Sequence, residues 1–411
     1  MSQGWVKKRL SEVTTKIGSG ATPRGGDESY KAEGISLIRS LNIYDDGFRE
    51  AKLARIDEDQ ANALSNVAVE PQDVLLNITG ASVARCCRAP AQLLPARVNQ
   101  HVSIIRPVQE SLDSDFLHYL LISKDYKNRL LSTGEEGGST RQAITKAQLQ
   151  DFVVEFPDSL PEQRQIVALL DEAFAGLATA KANAERNLQN ARAIFESQLH
   201  SVFGQRGEGW VEQALSEICD IKHGYAFEGK FFSAEGDYVL LTPGNFYEAG
   251  GYRDRGEKQK YFTGEIPRDY VLREGDLLVA MTEQAAGLLG SSLLVPESDK
   301  FLHNQRLGLV TAKPGVAWSN EFFFHVFNTK HVRREIHASA SGVKVRHTSP
   351  SKIGDVIVSF PVSLQEQSRL VADFVAVSAE TQRLTCLYER KLAALEELKK
   401  SLLHQAFNGE L

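Results

Sequence analysis

The chain has 411 residues, of which 42% are apolar and 24% charged, a balance that suits a water-soluble protein of two to four domains. No apolar run approaches the roughly 18 residues that a membrane-spanning helix needs, so no such helix is expected. The net charge of −6 argues against a free-standing nucleic-acid-binding domain: any such contact needs a locally basic face or partner subunits that supply it.

From the start of the chain, Met1 to Leu10 is polar, with Lys7, Lys8 and Arg9 followed by no apolar core, and does not read as a secretory signal. The first segment, 1–158, mixes strand-like runs (Val74 to Thr79, Val102 to Ile105) with an amphipathic helix from Asp115 to Leu131. A Gly/Ser-rich loop, Ser132 to Thr140, follows that helix. Residues 159–205 then read as one long helix. The second segment, 206–362, repeats the mixture: strands at Leu277 to Thr282, Leu307 to Thr311 and Asp355 to Phe360, a helix from Asn320 to His337, and a loop from Ser339 to Gly342. A second long helix fills 363–411. Without regular strand–helix–strand alternation, the two globular segments are assigned to the α+β class.

The two halves are copies. Gly4-Trp5-Val6 and Leu10-Ser11-Glu12 recur as Gly209-Trp210-Val211 and Leu215-Ser216-Glu217, and Ile17 and Gly20 align with Ile221 and Gly224. Asn42 falls on Asn245, and Asn99-Gln100 on Asn304-Gln305; these amides either face a ligand or satisfy buried backbone groups. The tails match without a gap, from Phe156-Pro157, Ser159-Leu160 and Glu162-Gln163 against Phe360-Pro361, Ser363-Leu364 and Glu366-Gln367 to Phe203 against Phe407. Internal repetition on this scale defines the architecture before any single motif does.

Each tail carries start and stop signals. Ser159 and Ser363 precede Glu162 and Glu366 at the capping-box spacing, and Gly204 and Asn408-Gly409 sit where a helix would end left-handed. Apolar residues step by three and four through Ile166, Leu170, Leu177, Leu188 and Leu199 in the first helix. The second offers Leu370, Phe374, Leu384, Leu392, Leu395 and Leu403. One narrow seam on a helix roughly 60 Å long, at 1.5 Å per residue, suits a coiled coil; packing on its own globular segment is the alternative.

Catalytic signatures are missing. Gly134-Glu-Glu-Gly-Gly-Ser-Thr140 lacks the lysine of a phosphate-binding loop, Gly18-Ser-Gly20 continues wrongly for a dinucleotide fingerprint, and no Asn/Asp-Pro-Pro-aromatic tetrapeptide occurs. Glu389-Arg390-Lys391 lies mid-helix, where a solvated face explains it. The cysteines (Cys86, Cys87, Cys219, Cys386) have neither zinc nor disulfide spacing, which fits a reducing, cytoplasmic setting. No bound metal or cofactor is expected. Basic residues instead gather around both loops: Lys124, Lys127, Arg129, Arg141 and Lys146 in the first copy, and Lys330, His331, Arg333, Arg334, His337, Lys344, Arg346 and His347 in the second. They suit phosphate contacts, and Arg141, Gln142, Arg346 and His347 suit base edges; a solvated helix face is the plainer reading.

The run Gly138-Ser-Thr-Arg-Gln-Ala-Ile144, the strand ending in Phe156-Pro157 and Leu160-Pro-Glu-Gln163 opening a long helix together resemble the specificity subunits of type I restriction–modification systems. Leu10-Ser-Glu through Gly20-Ala-Thr-Pro23 is similar to the start of their target recognition domains. The second copy keeps Leu364-Gln-Glu-Gln367 but departs at Ser341 to His347, so different base preferences are expected of the two copies. The resemblance implies two target recognition domains, separated by two long helices that pair as an antiparallel coiled coil with pseudo-twofold symmetry. It further implies double-stranded DNA as ligand, a bipartite gapped site, two methyltransferase subunits carrying S-adenosylmethionine, and restriction subunits using ATP and Mg. A coiled-coil scaffold that binds only proteins is the competing reading.

Overall fold

The computed structural model describes residues 4–135, 143–205, 207–283 and 287–408. The chain falls into two compact units, one built from Met1–Glu185 with Glu389–Leu411 and the other from Arg186–Tyr388. Each unit therefore takes a globular head and half of each long helix. No helix among the described residues is long and apolar enough to cross a membrane.

The first head contains two four-stranded sheets. One runs in the order Thr14–Ser19, Val102–Pro107, Val74–Asn77, Cys86–Arg88, and the other in the order Ala54–Ile56, Ile35–Ile38, Ala96–Val98, Ala68–Val69. The second head repeats the first of these orders, as Cys219–His223, Leu307–Ala312, Leu277–Ala280, Ser292–Leu294; its other sheet also has four strands but a different order, Phe232–Ser233, Tyr261–Phe262, Tyr238–Leu240, Phe301–Leu302. Each head has a parallel strand pair, Ala96–Val98 on Ile35–Ile38 or Phe301–Leu302 on Tyr238–Leu240, among antiparallel neighbours.

Strand Val74–Asn77 shows why these sequences choose strands. All its side chains are buried, with Val74 and Leu76 in one core and Leu75 in another. Alternate residues face opposite sides of a sheet, so a strand covered on both faces reads as a continuous apolar run. Leu277 and Val279 against Leu278 and Ala280 repeat this division in the second head.

The helix expected from Asp115 to Leu131 is two helices, Ser114–Ile122 and Lys124–Glu135, broken where Ser123 turns extended (φ −62°, ψ 150°). Its hydroxyl donates to the Leu120 carbonyl at 2.7 Å. Likewise Asn320–Phe327 and Lys330–Ser339 are separate, and the Thr329 side chain accepts from Val332 N at 3.4 Å. Hydroxyl side chains compete with the backbone ladder, which makes them better caps than interior residues.

The long helices span Leu160–Gln205, 46 residues, and Leu364–Phe407, 44 residues. Ser363 caps the second through Oγ, which accepts from Glu366 N at 3.3 Å; at Ser159 the backbone carbonyl accepts from Glu162 N at 3.1 Å instead. Gly204 does not terminate the first helix, which continues to Gln205. The left-handed glycine is Gly209, at φ +82°.

Within the first unit, Ile166 and Leu170 share a core with Leu403, Ala406 and Phe116, and Lys181 reaches Glu396 at 2.6 Å. The start of one helix thus lies along the end of the other. Within the second unit, Leu199 joins Leu370 and Phe374, and the Phe203 and Phe374 rings stack at 6.0 Å. Leu177, Leu188, Leu384, Leu392 and Leu395 are half-buried, whereas Ala184 and Ala191 are fully covered. Two helices running antiparallel in each unit make this the coiled-coil, two-domain architecture of an internally repeated chain.

A matched glutamine fixes each head to its helix. Gln163 is completely buried; its Oε1 accepts from Asp113 N at 2.8 Å, and its Nε2 donates to the carbonyls of Ser111 (3.0 Å) and Pro157 (2.8 Å). Gln367 does the same with Ser319 N (2.9 Å) and the carbonyls of Ala317 and Pro361 (both 2.9 Å).

Candidate nucleic-acid interface

Several of the basic side chains singled out from the sequence are engaged by other parts of their own head. Lys127 pairs with Asp45, both half-buried. Arg129 donates to the Val153 carbonyl at 2.7 Å and lies over the rings of Tyr126 (4.6 Å) and Phe152 (5.0 Å). Arg333 donates to three backbone carbonyls, those of Leu289 (3.0 Å), Glu248 (2.8 Å) and Gly287, and burial pulls its guanidinium below the usual arginine range. Arg346 turns inward to His337. Each of these four finds an internal partner that would compete with a phosphate. Lys330 meets Glu196 at 2.6 Å on the surface, and Arg334 only loosely approaches Glu335 at 3.5 Å. Lys124, Lys344 and His347 are exposed. Arg141 and Gln142 lie outside the described residues.

The geometry draws attention to a different place. In the first head, four chain segments meet at one end of the sheets. Thr79 Oγ1 contacts His101 Nδ1 at 2.5 Å, Gln100 Nε2 contacts His101 Nε2 at 3.1 Å, and Thr22 donates to Gln100. Ala143, returning from the Gly/Ser-rich loop, bridges to Thr79. The turn holds because Asn99 Oδ1 accepts from His101 N at 3.1 Å.

The second head assembles the equivalent platform. Tyr225 bridges to Asn304, Asn304 Oδ1 accepts from Arg306 N at 3.0 Å, and Thr282 pairs with His347 in register, their side chains 3.2 Å apart. Gln305 and Arg306 are exposed, as is Tyr225, and Val343 at the tip of the neighbouring loop is 99% exposed. Asn42 and Asn245, by contrast, are buried and bond backbone: Asn42 Nδ2 donates to the Arg49 carbonyl at 2.8 Å, and Asn245 Oδ1 accepts from Thr242 N at 3.0 Å.

The repeated glycine is what lets these loops close. A Cβ on Gly20 would lie 1.8 Å from the Val98 carbonyl oxygen, and one on Gly224 2.2 Å from that of Asn304. Only a residue without a side chain permits this approach. Gly20→Ala or Gly224→Ala is expected to cost about 1 to 3 kcal/mol and to displace that head's platform alone. Thermal unfolding together with hydrogen exchange at residues 99–101 and 304–306 checks it; unchanged exchange would exclude the steric account.

In the second head a buried carboxylate ties the platform to the helix behind it. Glu283 is 2% exposed, and its Oε2 accepts from the backbone N–H groups of Gly287 (3.0 Å), Leu288 (3.1 Å) and Leu289 (2.9 Å). Its Oε1 lies 3.7 Å from Arg346 Nη1 and 3.8 Å from His337 Nδ1. One side chain therefore orders two adjacent loops.

Sequence reasoning passed over His101, Tyr225, Arg306 and Glu283. The aligned Gly20 and Gly224 were the available signal for the first three, since a repeated glycine marks a repeated close approach. Nothing in the sequence marks Glu283.

Two equivalent loop platforms, each on a pair of four-stranded sheets and each followed by a long helix, define a tandem recognition protein. The family model described as type I restriction modification DNA specificity domain matches residues 2–186 and again 207–385, and the chain belongs to that family. It has the two-domain make-up of a specificity subunit. Similar proteins include the type I restriction enzyme EcoBI specificity subunit of Escherichia coli, 23% identical over 235 residues, covering 57% of this chain and 43% of that one. The StySPI specificity subunit of Salmonella potsdam is 21% identical over 439 residues, covering 100% and 90%. Among solved structures, a chain from a type I R-M system studied for complex assembly and conformational transition superposes with a TM-score of 0.75 at 18% identity, covering 100% of this chain and 99% of its own. The HsdS subunit from Thermoanaerobacter tengcongensis gives 0.67, also at 18% identity, covering 100% and 98%. The reading as a scaffold that binds only proteins is not favoured by these findings.

Proposed function

We propose that the chain is the non-catalytic, DNA-reading subunit of a type I restriction–modification complex, and that each platform reads its own half of a bipartite, asymmetric, gapped site. The observation that carries this is the pair of matched platforms with different side chains: exposed Gln100 and half-buried His101 in the first head, exposed Gln305, Arg306 and Tyr225 in the second. The glutamine, which suits adenine, is common to both heads, whereas the arginine, which pairs two-pronged with guanine, stands only in the second where the first has His101; that difference supports unlike half-sites.

The partners belong to the same proposal. Two methyltransferase subunits bring S-adenosylmethionine and methylate adenine, while restriction subunits use ATP and Mg to cut. The chain itself holds none of these cofactors and works in the cytoplasm. Partner subunits supply much of the electrostatic grip, which reconciles DNA binding with a net charge of −6.

Genome-wide methylation mapping tests this directly. Deleting the chain is expected to abolish one asymmetric gapped motif, and Arg306→Ala to relax one half of it by about 1 to 3 kcal/mol per discriminated base pair. Retention of every methylated motif in the deletion strain would refute the reading.

A further inference from the structure

Strand Thr14–Ser19 lies at the edge of its sheet, and its outer side opens into a groove of about 490 Å³. Lys16 and Lys146 line it with Ser19, Asn66 and Gln150, and no carboxylate is among the lining residues. Neither lysine makes an ion pair or hydrogen bond among the described residues, although this chain carries more acids than bases. The nearby acids are taken. Asp73 and Glu70 hold Arg106, the residue opposite Lys16 in the ladder, at 2.7 and 2.5 Å. Asp151 holds Arg9 at 3.1 Å, and Glu12 accepts from Arg9 N at 2.6 Å. What faces the groove is two unneutralised ammonium groups with amide and hydroxyl donors between them.

The second head has lost this arrangement. In the register that aligns Ile17 with Ile221, Lys16 becomes Asp220, which lies 3.8 Å from Lys313. Lys146, the first residue of its short helix, becomes Pro350 at the start of the matching one. The strand that lines the groove leads on to the proposed platform: it ends at Ser19, and the chain passes through Gly20 to Thr22, which donates to Gln100.

We infer that this groove is a DNA-phosphate site peculiar to the first head, so that one head grips the backbone by its own charges and the other does not. The inference rests on the DNA-reading function proposed above. Lysines act as mobile point charges towards phosphate, contributing affinity and salt dependence without sequence preference.

The test uses the full chain assembled with its methyltransferase subunits. Binding to a duplex containing the methylated site and to a scrambled duplex is measured by fluorescence anisotropy between 50 and 200 mM KCl. For Lys16→Ala/Lys146→Ala, affinity is expected to fall on the order of tenfold on both duplexes, and the slope of log K against log salt to flatten by about 1 to 2. The methylated motif stays unchanged. Lys300→Ala, which removes an exposed second-head charge paired with Glu297 at 2.7 Å, is expected to match wild type. A wild-type slope in the double variant overturns the site; so does a loss confined to the specific duplex, or an equal loss in Lys300→Ala. Failure of the DNA-reading function is separately visible, because the wild-type complex would then methylate no motif that depends on this chain. Since neither lysine has a partner among the described residues, the double variant should melt at the wild-type temperature, and a lowered melting point counts against the proposal.

Discussion

Replacing Gln163 or Gln367 by leucine is expected to destabilise the corresponding unit by roughly 3 to 5 kcal/mol, a large share of the roughly 5 to 15 kcal/mol that holds an ordinary domain folded. Leucine nearly conserves volume, so the loss is one of hydrogen bonds. Each glutamine serves one backbone N–H and two backbone carbonyls at a place that water does not reach. An orphaned buried backbone group costs about 1 to 3 kcal/mol, well above the net value of an ordinary exposed hydrogen bond. Hydrogen exchange followed by mass spectrometry on the full chain resolves the two units. Gln163→Leu should accelerate exchange around Ser111 to Ser114 and Pro157, and Gln367→Leu around Ala317 to Asn320 and Pro361. Glutamate, which can accept but not donate when ionised, should fall short of rescue in both. Native protection in either leucine variant would show that the helix start is anchored by its apolar neighbours instead.

Glu283→Ala should have the second-largest effect, about 3 to 4 kcal/mol confined to the second unit. Three backbone N–H groups lose their shared acceptor, and Arg346 and His337 lose the negative charge they face. Because Arg346 sits beside His347, the platform of the second head should lose its order with the clamp. One half of the methylated motif is then expected to become degenerate while the other half persists. Glu283→Gln keeps an oxygen acceptor but removes the charge, and should lie between alanine and wild type. Equal degeneracy in both half-sites would contradict the placement of Glu283 in a single reader.

The contrast between matched helices and divergent platforms has a physical basis. A helix start buried against a head leaves few solutions for its orphan backbone groups, and Gln163 and Gln367 are the same solution used twice. Exposed loop side chains carry no such constraint. Gln100-His101 and Gln305-Arg306 stand on the same turn, held by Asn99 or Asn304, yet offer different donors and acceptors. Specificity can therefore change without a change of fold.

What the sequence determined by itself is the part written in short-range period. The duplication, the long helices and strands such as Val74–Asn77 follow from spacing along the chain, because helix and strand geometry turn spacing directly into a buried face. The breaks at Ser123 and Thr329 were missed, because the apolar spacing of Asp115–Leu131 and Asn320–His337 suits one continuous helix in each case. What only the tertiary structure decided is which charges are free. Lys127 meets Asp45 and Arg346 approaches Glu283 across long stretches of chain, while Lys16 and Lys146 are brought together from opposite ends of the first head and have no partner among the described residues. A cation's usefulness to DNA depends on whether an internal acceptor reaches it first, and that competition is settled by distance in space, on which spacing in sequence is silent.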